Sequence, residues 1–101
     1  MSYQVTNTFT RPTAGVNFHL VNMPDTYIQY VIANYKSTNK IVDLTSDIST
    51  DGLTLTAVWT WANKAEFDAW SADPVVVENQ QTRDAWNEAN GITMTQTAVE
   101  I

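Results

Sequence analysis

A chain of 101 residues with 44% hydrophobic and 11% aromatic side chains has material for one packed core and no room for a second, so a single domain spanning residues 1–101 is expected. The absence of cysteine removes disulfides, zinc thiolates and thiol nucleophiles. Eleven acidic against five basic residues, a net charge of −6, set the chain against nucleic-acid backbones and anionic lipid, which it would meet with like charge.

Residues 3–10, YQVTNTFT, alternate Tyr3, Val5, Asn7 and Phe9 against Gln4, Thr6, Thr8 and Thr10, the period of a strand with one buried face. RPTAG breaks the pattern, and residues 16–23 read as a loop with an extended piece. In PDTYIQYVIANYK the helical spacing of Tyr27, Ile28, Val31, Ile32 and Tyr35, with Pro24 in the first turn, predicts a first helix ending near Lys36. On that helix Tyr27 and Tyr35 share a packing face and Tyr30 lies at its side. KIVDLTSDI predicts a strand with Val42, Leu44, Ser46 and Ile48 on one side and acids on the other. Asp51-Gly52 is a hairpin turn, and LTLTAVWTW returns with Leu53, Leu55, Ala57, Trp59 and Trp61 on one face. Asn63, with Glu66 three residues on, caps the next helix. SADP interrupts it, and Asp73-Pro74 caps a second helical segment that runs to about Ala89 and ends at Gly91. A last alternating strand, ITMTQTAVEI, closes the chain.

The order strand, helix, strand, strand, helix, strand predicts a ferredoxin-like α+β fold, a four-stranded antiparallel sheet with two helices on one face. Both parity rows of the strands cannot be buried against two helices, so the open face of the sheet is expected to pair with a second copy as a homodimer. No stretch approaches the roughly 20 apolar residues of a membrane span, and the polar opening MSYQVTNTFT is no secretory leader. A soluble, cytoplasmic protein is expected, with neither nucleic acid nor membrane as a partner.

A strand ending in Trp61, a short polar turn, KAEFDAW, then DP and a second helical segment together resemble the antibiotic-biosynthesis-monooxygenase-like family of dimeric α+β barrel proteins. The resemblance covers the first strand and roughly residues 53–95. It implies either cofactor-free oxygenation of polyphenols or, in another branch, haem degradation. The haem-degrading branch builds its site from an Asn on the first strand, a Trp ending the third, and a His on the last helix. Asn7 and Trp61 fall at the first two places. Six residues after Asp73, where the His would stand, this chain has Asn79, so the helix offers iron no axial imidazole.

The candidate site residues follow. Trp59 and Trp61 read first as core or interface and second as pocket walls, Trp61 above all; Trp70 and Trp86 read as helix-to-sheet anchors. Asn7 is a polar side chain in an apolar row, which costs about 1–3 kcal/mol unless it is hydrogen-bonded. His19, the single histidine, lies between Phe18 and Leu20 as a packed loop residue or a general base over the sheet. It is no metal site alone, and Asp43 with Asp47 on one strand parity is a weak calcium pair, so no metal and no cofactor are expected. Arg11 and Arg83 are each able to meet a carboxylate ligand, though two isolated arginines are weak evidence for one.

Two functions are carried forward. One is a non-catalytic or accessory protein that uses the dimeric barrel as a structural unit or to bind a small aromatic ligand, with Asn7, Trp59, Trp61 and Asn79 as the ligand-binding candidates. The other is a cofactor-independent monooxygenase in which Asn7 hydrogen-bonds a substrate oxygen and Trp61 stacks on its ring, with Asn7, Trp61 and His19 as catalytic candidates.

Overall fold

The computed structural model describes residues 1–101, the side chain of Asn22 excepted. Strand β1 (Tyr3–Thr10) leads through a 3-10 turn (His19–Asn22) to helix α1 (Asp25–Val31), which continues as a π turn over Ile32–Lys36. Strands β2 (Ile41–Ile48) and β3 (Thr54–Trp61) form a hairpin, helices α2 (Lys64–Ala72) and α3 (Pro74–Asn90) follow, and β4 (Thr93–Glu100) ends the sheet. The strand order is β2-β3-β1-β4 with every neighbouring pair antiparallel. This is the ferredoxin-like α+β arrangement expected from the order of elements.

Local chemistry sets the boundaries. Asn63 Oδ1 accepts from the Glu66 N–H at 3.0 Å and starts α2. Asp73 Oδ1 accepts from the Val75 N–H at 2.9 Å, and Pro74 occupies the first turn of α3. Gly91, at φ 69°, supplies the left-handed stop. Gly52, at φ 75°, turns the hairpin, where Asp51 Oδ1 accepts from Ser49 Oγ and from the Leu53 N–H. Pro24 stands at the cap of α1 rather than in its first turn, its carbonyl accepting from Tyr27 and Ile28 N–H groups.

Two further expectations are corrected. Residues 19–22 of the expected loop or extended piece close a 3-10 turn, with Val21 N–H donating to the Phe18 carbonyl and Met23 N–H to that of Leu20. The interruption expected at SADP is present, and the Asp73-Pro74 pair restarts the backbone after Ala72 as a separate helix. In β2 the register shifts between Ile41 and Asp43, so Ile41 opposes Trp61 and is buried while Val42 is the extra residue, 52% exposed. A bulge inverts the side-chain parity on one side of it, which simple alternation does not reveal.

The registers also show where the core divides. On the helix-facing side of the sheet, a row of Ala98, Val5, Trp59 and Leu44 lies above a row of Gln96, Asn7, Ala57 and Ser46, and Met94, Phe9, Leu55 and Ile48 lie below. The middle row is short or polar. The buried apolar residues accordingly form two clusters, one of Val5, Tyr35, Ile41, Trp61, Trp70 and Val76, the other of Phe9, Phe18, Leu55 and Ile92. Helices packed over the large residues on either side cannot reach down to Ala57, and space is left between the clusters. The opposite face carries threonines in register, with Thr6 opposite Thr97 and Thr8 between Thr95 and Thr56.

Candidate functional site

The space left by the middle row is a cavity of about 640 Å³ between the sheet and the helices. Its floor is Asn7, Ala57, Ser46 and Trp59, its roof includes Tyr27 and Val31 of α1, Ile32 of the π turn and Arg83 of α3, and Phe18 and His19 close one end. Volumes of roughly 300–1,000 Å³ with mostly apolar walls and a few polar groups are those of small-molecule sites. Asn7, His19, Trp59, Trp61 and Asn79, drawn from four separate elements or turns of the sequence reading, all line this one cavity.

Their individual settings differ. Asn7 Oδ1 accepts from Gln96 Nε2 at 2.8 Å across the β1–β4 ladder, which satisfies its acceptor and leaves the Nδ2 group as the free donor. Trp61 is only 1% exposed and is packed by Trp70, Phe67 and Tyr35, with ring centroids 5.1, 5.8 and 6.0 Å away. Trp59, half-buried and stacked beside it at 6.3 Å, presents the more open ring. Both rings line the cavity, and they differ in depth: the last residue of β3 lies under α2, whereas Trp59 lies beside the short middle row. The Trp61 indole N–H is buried with no hydrogen-bond partner, and so is His19 Nε2. An orphaned buried polar group costs about 1–3 kcal/mol, and two of them at one cavity mark it as a place the fold does not complete by itself.

Burial raises the Tyr27 hydroxyl to about 12, with the Asn79 side chain and the Arg83 charge opposing the rise. Tyr27 and Asn79 also line a smaller cavity of about 330 Å³ between α1 and α3, so this pair stands between the two spaces. The remaining tyrosines do something the helical spacing did not suggest. Tyr30 and Tyr35 hydroxyls both donate to Asp73 Oδ2, at 2.6 and 2.5 Å, fastening α1 to the α2–α3 junction.

Arg83 lines the cavity while donating to Asp84 Oδ1 at 3.2 Å. Arg11 is corrected: its Nε and Nη1 donate to the carbonyls of Gly52 and Val16 at 2.7 and 2.8 Å, and its guanidinium lies 4.5 Å over the Phe18 ring. A fork spent on two backbone carbonyls braces the hairpin and is not available to a ligand. Trp86 is an anchor, donating from Nε1 to the Asn17 carbonyl at 2.9 Å and packing on the Phe9 cluster. No group of three or more His, Asp or Glu side chains suited to a metal ion occurs among the described residues. Haem does not fit the arrangement. Asn79 offers no imidazole, and His19 Nε2, as placed, has no accessible surface from which to reach an iron. No described helix is long and apolar enough to cross a membrane.

No protein-family model matches the chain, and no curated protein matches it in sequence. Solved structures match its fold. SnoaB, a cofactor-independent oxygenase from Streptomyces nogalater, aligns with a TM-score of 0.68 at 15% identity, over 99% of this chain and 92% of its own. A dimeric ferredoxin-like protein from an uncultured marine organism aligns at 0.67 with 8% identity, over 99% and 94%. A Deinococcus radiodurans protein assigned to the antibiotic biosynthesis monooxygenases aligns at 0.63 with 12% identity, over 97% and 91%. Such identities carry likeness of fold alone. The chain has the ferredoxin-like α+β fold of proteins that include antibiotic-biosynthesis-monooxygenase-like members.

Proposed function

We propose that the protein is a dimeric ligand-binding unit that takes a small, planar, oxygen-bearing aromatic molecule into the cavity between sheet and helices, without catalysing its conversion. The observation that carries this reading is the convergence of Asn7, His19, Trp59, Trp61 and Asn79 on one cavity of about 640 Å³. Trp59 supplies a face for an aromatic ring to lie on. The polar groups facing the cavity are chiefly donors: the free Asn7 Nδ2 and the guanidinium of Arg83, which also donates to Asp84. They favour a ligand whose oxygens accept. Titration with haem and a panel of planar phenols, followed by tryptophan emission, tests it. Saturable quenching by a phenol, one molecule per chain, supports the reading, and no response across the panel from folded protein overturns it.

A second reading, a cofactor-independent monooxygenase on an aromatic substrate, draws on the meeting of Asn7 and Trp61 at the same cavity and on the fold shared with SnoaB. Oxygen consumption with a bound phenol separates the two. An Asn7→Ala variant that binds but no longer turns over would favour the oxygenase. The dimer is proposed to form through the open sheet face, where threonine methyls and Val58 supply a semi-polar surface. Light scattering at micromolar concentration should give twice the chain mass of 11.3 kDa.

A further inference from the structure

The tryptophans and tyrosines of the larger core cluster are ordered as well as packed. Trp59, half-buried and lining the cavity, and Trp61 beside it lie 5.6 and 5.1 Å from the ring of Trp70. Trp70 is 4.8 Å from Tyr35, and Tyr35 is 6.4 Å from Tyr30. Trp70 and Tyr35 are buried, each 7% exposed, while Tyr30 is half-exposed on α1. The series therefore begins at the cavity wall and ends near the protein surface. Indole and phenol are the side chains of this cysteine-free protein that give up one electron most readily. A phenol must shed its proton when it does so, and both phenols at the end of the series already donate to one carboxylate oxygen, Asp73 Oδ2, at 2.5 and 2.6 Å. That is hydrogen-bond reach for a base taking a proton.

We infer that Trp59, Trp61, Trp70, Tyr35 and Tyr30 form a path along which an oxidising equivalent moves from the cavity to the surface, with Asp73 as its proton acceptor. The oxidant is a strong one-electron oxidant arising at the cavity, such as a peroxyl radical of a bound molecule. It takes one electron from Trp59 or Trp61 and is reduced; the indole becomes a radical cation. Trp70 returns that electron and is oxidised in turn. Tyr35 then gives one electron to Trp70 and its phenolic proton to Asp73, leaving neutral Trp70, a tyrosyl radical and a protonated carboxyl. Exchange with Tyr30, which shares the same oxygen, carries the radical outward, and the proton passes from Asp73 to solvent. The path serves to clear oxidising species from the cavity without destroying its walls.

The path needs only the rings and Asp73, so it is tested apart from any ligand. Azide radical generated by pulse radiolysis oxidises indoles to indolyl radicals in the whole protein. Conversion of the visible indolyl band into the narrow tyrosyl band is then followed with time. The expected result is a first-order conversion, independent of protein concentration, that Tyr35→Phe slows by an order of magnitude or more. Asp73→Asn slows it severalfold without changing the initial indolyl yield, because an amide is a poor proton acceptor. Equal rates in wild type and Tyr35→Phe, or no conversion in the wild type, overturn the inference. Should Tyr35→Phe not fold, Asp73→Asn carries the test and an unchanged rate there overturns it equally; a Trp70 variant would not serve, because Trp61 lies 6.0 Å from Tyr35 and keeps a direct step open.

Discussion

Asp73→Ala removes one side chain with three duties. Its Oδ1 caps α3 through the Val75 N–H, and its Oδ2 accepts from both Tyr30 and Tyr35. Loss of a cap costs about 1 kcal/mol. Tyr35 is 7% exposed, so its stranded hydroxyl costs roughly 1–3 kcal/mol. Tyr30 is half-exposed and recovers water, adding little. The sum is a destabilisation of about 2–4 kcal/mol. Urea unfolding followed by tryptophan emission, at one fixed protein concentration, reads it as a lower midpoint with unchanged slope. Asp73→Asn keeps an oxygen for the cap and should lose distinctly less. In a Tyr35→Phe background there is no hydroxyl to strand, so the cost of Asp73→Ala should shrink by about 1 kcal/mol or more. A loss below about 1 kcal/mol, or equal losses in both backgrounds, would refute the reasoning.

Gly91→Ala should cost about 1 kcal/mol, because Gly91 holds φ 69° and the added Cβ meets Pro12 Cγ only at an ordinary 3.6 Å; thermal unfolding checks it. Arg11→Ala should cost about 1–2 kcal/mol by releasing the Gly52 and Val16 carbonyls, and hydrogen exchange should quicken around the 49–53 turn. At alkaline pH the folded state holds the Tyr27 proton more tightly than the unfolded chain, so that contribution is complete below pH 10.0 and is lost as the pH rises to about 12. At the acid end burial pushes the Asp73 carboxyl up, but hydrogen bonds from Tyr30, Tyr35 and the Val75 and Val76 N–H groups outweigh it and hold it below the usual carboxylate range. Its contribution is present above the ordinary carboxylate pKa and fades as pH falls through the lower folded value, so the acid side of a stability profile should flatten in Tyr30→Phe.

The fold was legible because its determinants are local. Period-two rows in β1, β3 and β4, the Asn63 and Asp73 caps and the Gly91 stop each act within a few residues. The β2 bulge was not, since it is settled by pairing with β3 and not by the order Ile41, Val42, Asp43. Parity put Asn7 in the apolar row of β1 and Trp59 with Trp61 in one row of β3, and the family resemblance joined Asn7 to Trp61; the β1–β3 register is what sets them on one face. What parity could not give is depth. Trp61 is sealed by Phe67 and Trp70, residues whose packing depends on where α2 lands. The Asp73 clasp was hidden for a similar reason: Tyr30 and Tyr35 lie 43 and 38 residues away in sequence. The small side chains of the row through Ala57 were in plain view, and reading them as missing volume between larger neighbours would have located the cavity.

Ala57, 8% exposed on the cavity floor, offers the most direct test of the ligand-binding account. Ala57→Phe places a ring into the empty space rather than into packed core, so the variant should fold with a change in stability under about 2 kcal/mol. Isothermal titration of wild type and variant with a hydroxylated anthraquinone is the measurement. The account predicts one molecule bound per wild-type chain and none by Ala57→Phe. Equal binding by both proteins, or no binding by either across a set of such quinones, would contradict it.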